Sequence, residues 1–179
     1  MVNTQRKQKS GRLQTSRLIL KPFEERDREA VVQIAFDEEI KKTYMIPDFT
    51  HRSQAEKLFE KMLAFSRSDD HFEYGIYLQD RLIGFVNDCE IRGDAIELGY
   101  VIIPECKGQG FATEAVRACI GELFRMGYRQ VMAGYFQENE ASGRVMRKCG
   151  MHKLEAEEDI EYKGQCHHCL YYGIENPMI

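Results

Sequence analysis

No stretch of this 179-residue chain approaches the ~20 consecutive apolar residues that a membrane-spanning helix needs. The first residues also lack the apolar core of a secretory signal, which points to the cytoplasm. Proline is scarce, with four residues, and there are no repeats or low-complexity segments. Acid is missing from the first 17 residues, where Arg6, Lys7, Lys9, Arg12 and Arg17 stand. A basic arm of that kind can bind nucleic acid. The formal net charge of −4 favours instead a flexible, solvated segment over residues 1–16, with no nucleic-acid or membrane partner.

A convincing set of metal ligands is lacking as well. Cys166-His167-His168-Cys169 has Cys-x-x-Cys spacing, but no second ligand cluster accompanies it. It runs on into Leu170-Tyr171-Tyr172-Gly173-Ile174, which reads as a strand. In a strand Cys166 and Cys169 point to opposite faces, so no metal is expected. Cys89, Cys106, Cys119 and Cys149 lie far apart and read as core or loop residues rather than disulfide partners.

What is present is an ordinary globular composition, 43% apolar and 30% charged, long enough for one full core. One domain is expected over residues 17–179. Leu18–Phe23 reads as an opening strand, and residues 26–36 as a helix with Ala30, Val31, Ile34 and Ala35 on one face. Ser53 and Glu56 have capping-box spacing ahead of a second amphipathic helix. Three apolar runs, 72–78, 82–91 and 96–103, are separated by short turns and predict an antiparallel meander. From Ala112 the apolar residues recur at helical offsets as far as Phe124, and Gly127 stands at the C-cap position. A strand over 129–136, a short helix over 141–148 and two last strands follow. Between those strands, residues 155–161 hold five acids and read as a solvated turn or a strand edge. The pattern is α/β (or α+β) around a mixed sheet.

The segment Glu97 to Ala115 carries the most chemistry. It reads as an apolar strand ending at Pro104, a loop with Gly108 and Gly110, and the start of a helix. Glycines permit close backbone approach, and a helix N-terminus offers unpaired N–H groups and the positive end of the dipole. Together they make a phosphate cradle. It is not a P-loop, since no Gly-Lys-Ser/Thr follows. It is not a dinucleotide fingerprint either, because position 113 is Thr113 rather than glycine.

The loop Lys107-Gly108-Gln109-Gly110-Phe111-Ala112 resembles motif A of the GNAT superfamily of acyl-CoA N-acyltransferases, Gln/Arg-x-x-Gly-x-Gly/Ala. Asn139-x-x-Ser142, leading to Arg147-Lys148-Cys149-Gly150-Met151, is similar to the family's Asn-x-x-Ser and Lys-x-Gly-Phe segments. Arg17–Phe23 and Leu82-Ile83-Gly84-Phe85 resemble the branch containing the ribosomal-protein N-terminal acetyltransferases. These landmarks occur in order over residues 17–175.

The resemblance implies a mixed, mostly antiparallel sheet with two splayed parallel strands and helices on both faces. It implies acetyl-CoA as co-substrate. Backbone at Val101 and Ile102 would hold the pantetheine arm, and amides from Gly108 through Gln109, Gly110, Phe111, Ala112 and Thr113 the pyrophosphate. Asn139 would contact pantetheine or a bridging water, and Ser142 would lie near the thioester sulfur. Lys107 replaces the family's usual Gln or Arg, and an ammonium there suits a pyrophosphate. The tyrosine that often serves as general acid is missing from the helix after Asn139, which leaves Ser142 as the local donor.

Acetyl transfer needs a neutral amine. An α-amine with pKa near 8 is roughly a quarter neutral in mildly basic solution, against about a thousandth for a lysine side chain. A modest base then suffices, and Glu97 on the strand entering the loop is the candidate. A backbone N–H, that of Val101, would meet the thioester carbonyl. The leading expectation is an N-acetyltransferase acting on a protein or peptide N-terminal α-amine. The alternatives are a small-amine acetyltransferase (polyamine, aminoglycoside or amino-acid derivative) and a non-catalytic acyl-CoA sensor. Monomer and homodimer are both compatible with such a fold.

Overall fold

Alternating apolar residues over Tyr74–Leu78 (β3), Arg81–Arg92 (β4) and Ala95–Ile102 (β5) form the expected meander in a computed structural model, which describes residues 7–179. Ahead of it come two short strands, Leu13–Gln14 (β1) and Leu18–Lys21 (β2), and three helices. The helices are Arg28–Phe36 (α1), Glu38–Lys41 (α2) and Arg52–Arg67 (α3). After it come Phe111–Met126 (α4), Gln130–Phe136 (β6), Glu140–Lys148 (α5), His152–Tyr162 (β7) and Gln165–Glu175 (β8). The strands form one sheet in the order β1-β2-β3-β4-β5-β6-β8-β7, and every neighbouring pair is antiparallel except β5 and β6.

Because side chains alternate along a strand, each face of the sheet has its own core. Leu20, Ile76, Ile83, Ile96, Leu98 and Val131 meet α4 through Ala115, Val116, Cys119, Ile120 and Leu123. Tyr77, Leu82, Phe85 and Val101 meet α1 and α3 on the other side through Val31, Ile34, Phe59 and Met62. Each fully buried Leu, Ile or Phe stabilises the fold by about 1.5–3 kcal/mol. The expected helices on both faces are therefore present.

Two local expectations differ from the structure, and a third resolves to one of its alternatives, the strand edge. Residues 1–6 lie outside the described residues, but residues 7–16 are anchored rather than loose. Lys7 N donates to Met126 O (3.1 Å), Lys9 Nζ to His71 O (2.7 Å) and Ser10 N to Glu122 Oε1 (2.6 Å), and β1 pairs with β2. The local excess of bases meets carbonyls and an acid of other elements, which composition alone does not reveal. The capping box of α3 is built two residues earlier than Ser53 and Glu56, from His51 and Gln54, while Glu56 pairs with Arg52 at 2.8 Å. The acidic stretch 155–161 belongs to β7, an exposed edge strand. Charges on such an edge oppose pairing with another sheet.

In β8, Cys166 is exposed and Cys169 buried, as alternation requires. His167 pairs with Glu138, and His168 Nδ1 with Asp159 Oδ1 at 2.8 Å. No helix among the described residues is long and apolar enough to cross a membrane.

Candidate active site

Strands β5 and β6 start side by side and then separate. Their pairing runs over Ala95–Gln130, Ile96–Val131 and Glu97–Met132 and stops there. Beyond it β5 stays bonded to β4 as far as Ile102, and β6 to β8 as far as Phe136. Residues 98–102 and 133–136 thus face each other across a gap, which opens into a cleft of about 420 Å³. Backbone polar groups along both edges of the gap lack strand partners, so an extended ligand with amide groups can complete them.

The peptide groups that face the gap follow from register. Ile103 N donates to Ile83 O at 2.9 Å, and the next hydrogen-bonded pair two residues along is Phe85–Val101. The N–H of Val101 therefore turns towards β4, and its side chain packs among α1 and α3. The peptide groups of Tyr100 and Ile102 turn towards the gap. This corrects the expectation for Val101 and keeps that for Ile102. The error arises because a strand's face pattern does not say which edge a peptide group uses.

At the wide end of the cleft stands the glycine loop. After Pro104–Cys106, a single 3₁₀ turn, Gly108 and Gly110 adopt φ +76° and +82°, the left-handed region that residues with a Cβ disfavour. A Cβ on Gly108 would meet nothing within 4 Å, so this glycine serves backbone conformation and leaves open space over the loop. Gly110 caps α4, whose first-turn residues Phe111, Ala112 and Thr113 line the cleft. The N–H groups of a first helical turn have no partner within the helix. Lys107, Arg144 and Lys148 are exposed and line the same end. Gln109 is the loop residue that does not line it. Its side chain turns back to Glu105 O (3.3 Å), and its carbonyl accepts from Arg17.

Arg17 fastens this loop from outside. Its guanidinium lies 4.5 Å from the Phe111 ring centroid, donates to Gln109 O at 2.9 Å and pairs with Glu114 at 2.7 Å. Glu114, in the first turn of α4, also accepts from Thr15 Oγ1 (2.5 Å), Ser16 Oγ (3.0 Å) and Arg17 N (2.9 Å). These donors outweigh desolvation and hold its carboxyl near pKa 2.

Asn139 and Ser142 work as a pair at the start of α5. Asn139 is the N-cap and accepts from Ser142 N at 3.4 Å, while its Nδ2 donates to Ser142 Oγ at 3.1 Å. With a lone pair so occupied, the Ser142 hydroxyl keeps its own proton for another acceptor. Tyr100 OH donates to Ser142 O at 3.2 Å and so ties β5 to α5 across the cleft.

Glu97 lines the cleft at its narrow end, where the two strands part. Burial pushes its carboxyl above the ordinary range, Glu90 and Glu158 add to the shift, and Arg92 opposes it. Cys89, in the bulge of β4 between Asp88 and Glu90, lines the same region. Desolvation within the cleft and the neighbouring Glu97 and Asp88 push its thiol upward, which disfavours the thiolate, although the residue keeps an exposed surface.

All the expected residues except Gln109 thus line one cleft, and at Val101 the peptide group turns away from the gap. Among the further lining residues, Arg144 and Lys148 form an i, i+4 pair of cations on α5, a spacing visible in the sequence. Tyr100 reaches the cleft only through tertiary packing.

The model of the acetyltransferase (GNAT) domain matches residues 17–152. An uncharacterised N-acetyltransferase of Bacillus subtilis, YoaA, is 30% identical over 146 residues, which is 79% of this chain and 82% of YoaA. Among solved structures, a GNAT-family acetyltransferase from Bacillus anthracis superposes with a TM-score of 0.80 at 25% identity, covering 92% of this chain and 98% of that one. The ribosomal L7/L12 α-N-protein acetyltransferase RimL, in complex with coenzyme A, gives a TM-score of 0.80 at 20% identity over 90% and 95% of the two chains. The chain belongs to the GNAT family and is an N-acetyltransferase. Coenzyme A fits the geometry above. Two left-handed glycines and a helix N-terminus suit a pyrophosphate, and unpaired strand edges suit an amide-bearing arm.

Proposed function

We propose that the protein transfers acetyl from acetyl-CoA to an N-terminal α-amine of a protein or peptide. The observation that carries this reading is a single half-buried carboxylate, Glu97, at the point where the strands part, with its proton affinity raised by burial. Such a base suits an amine that is already partly neutral near pH 8, as an α-amine is. The likeness to RimL, which acts on an α-amine of ribosomal L7/L12, agrees in kind.

In this reading the amides of Gly108, Gly110, Phe111, Ala112 and Thr113 hold the pyrophosphate, with Lys107, Arg144 and Lys148 as charges around it. Ile102 and Asn139 bind the pantetheine arm. When bound, acetyl-CoA supplies an activated thioester. Glu97 takes a proton from the incoming ammonium, directly or across one water. The N–H of Tyr100, rather than that of Val101, donates to the thioester oxygen as charge develops there. Ser142 Oγ–H donates to the departing sulfur, and the Asn139 bond sets its direction.

Mass spectrometry of paired peptides tests the acceptor. A peptide with a free N-terminus should gain one acetyl group at its α-amine, and the same peptide with a blocked N-terminus and an internal lysine should gain none. Acetylation of the internal lysine alone would refute the α-amine reading. Modification of neither peptide, together with turnover of a small amine, would favour the small-molecule alternative.

A further inference from the structure

A second cavity of about 200 Å³ lies on the α1–α3 face of the sheet and shares Tyr44 and Met45 with the cleft. Much of its wall is apolar, with Val31 and Ile34 from α1, Leu58 and Met62 from α3 and Phe85 from β4, while Lys61, Asn87 and Asp88 also line it. At its floor stands Glu73, only 4% exposed. Among the described residues, no hydrogen bond or ion pair meets the Glu73 carboxylate. The neighbouring charges are engaged elsewhere or lie beyond ion-pair reach. Asp88 accepts from Phe72 N (2.7 Å) and pairs with His71 (3.2 Å). Lys9 Nζ donates to Phe65 O and His71 O, and Lys61 Nζ lies 5.1 Å over the Phe65 ring. No fully buried side-chain oxygen among the described residues lacks a partner, so the unpaired Glu73 carboxylate faces the cavity, where an arriving cation can meet it.

Register connects this floor to the reaction centre. Tyr74 pairs with Val86, which places Glu73 level with Asn87, and Asn87 pairs with Gly99. Glu73, Asn87 and Gly99 thus form a row across β3, β4 and β5, about 10 Å long at two strand spacings. Tyr44 roofs the row by donating to Asn87 Oδ1 at 2.6 Å. A side chain at position 99 would meet Cys89 Sγ, Asn87 Oδ1 and Tyr44 OH within 2.8–3.1 Å, so glycine there lets Tyr44 and Asn87 close over the strand, and the two cavities meet instead at Met45, which lines both.

We propose that this cavity binds a second aliphatic ammonium of the acceptor, about 10 Å from the amine that is acetylated, with Glu73 as its counter-ion. The proposal rests on the acetyltransferase reading and narrows its substrate class. Two sources share this chemistry: a lysine side chain close behind the N-terminus of a peptide, and the far end of a free diamine. Burial, reinforced by Asp88 and opposed by Lys9 and Lys61, holds Glu73 near pKa 8, so an arriving ammonium would restore its charge.

The test compares acceptors that differ only in the second cation. One pair is an N-terminal peptide with lysine or norleucine at its second residue, and the other is 1,7-diaminoheptane against heptylamine. For at least one pair, kcat/KM of the wild-type protein should favour the cationic member by about tenfold or more, and in Glu73→Gln that ratio should fall towards one. The pair that responds names the source. Calorimetry of the CoA-bound protein with 1,7-diaminoheptane and heptylamine reads the cavity without turnover. Binding that depends on Glu73, with no transfer to any amine, would overturn the proposed acceptor chemistry and leave the cavity assignment standing. A wild-type protein with no preference in either pair, or a preference that survives in Glu73→Gln, would overturn the cavity assignment itself.

Discussion

In the proposed reaction Glu97 and Ser142, which line one cleft, divide the proton work between them. Glu97 has two acids near it and one opposing arginine, so its raised proton affinity is a property of the site rather than of its strand. A base is useful only when deprotonated, so kcat/KM should climb with pH through a value above the usual glutamate range. Glu97→Gln should remove that limb and lower kcat by about a hundredfold or more, within the ~10²–10⁴-fold span of general-base effects, with acetyl-CoA affinity little changed. A pH–rate profile identical to wild type would exclude Glu97 as the base. Asn139 and Ser142 were legible in the sequence through motif spacing, and Glu97 through its place on the strand entering the loop; all three line the cleft. Val101 was carried over by resemblance, and register turns its peptide group towards β4 instead, since sequence position does not give the edge a peptide group serves. Glu73 carries no local signal, and its position depends on packing between the sheet and two helices.

At the scale of elements, α4 was legible to within a residue, because its apolar offsets are regular and Gly110 and Gly127 close both ends with positive φ. The start of α3 was displaced, because several polar residues around 50–56 can cap a helix and the chosen one depends on tertiary contacts. The N-terminal segment looked solvated by composition, yet Thr15, Ser16 and Arg17 converge on Glu114. That latch ties the β1–β2 turn to the first turn of α4. The native Glu114 carboxyl sits near 2, below its unfolded value, so its contribution is present above about pH 4.3 and is lost as pH falls towards 2. Glu114→Ala should lower thermal stability by about 1–3 kcal/mol, weaken acetyl-CoA binding several-fold and flatten the acid limb of the stability curve. Thermal melts across pH read all of this, and an unchanged acid limb would exclude the latch.

For the whole molecule, the sheet divides the labour. The α4–α5 face shapes the end of the cleft that carries the glycine loop, and the α1–α3 face carries the second cavity, which adjoins the cleft at Tyr44 and Met45. The splay of β5 and β6 joins the two, since it lies where the sheet's single parallel pair ends. The order of elements and the mixed sheet were readable from periodicity and turn residues. The splay was not, because it is an absence of pairing that no residue pattern announces, and it entered only through family resemblance. A net charge of −4 agrees with a cationic acceptor without identifying it. The central claim is that the donor's pyrophosphate sits on the glycine loop at the N-terminus of α4. Calorimetric titration of coenzyme A into wild type and Gly110→Trp, with circular dichroism confirming the fold of both, tests it most directly. A residue with a bulky side chain, forced into φ +82° over that helix end, should weaken coenzyme A binding at least tenfold. Equal affinities in two folded proteins would contradict it.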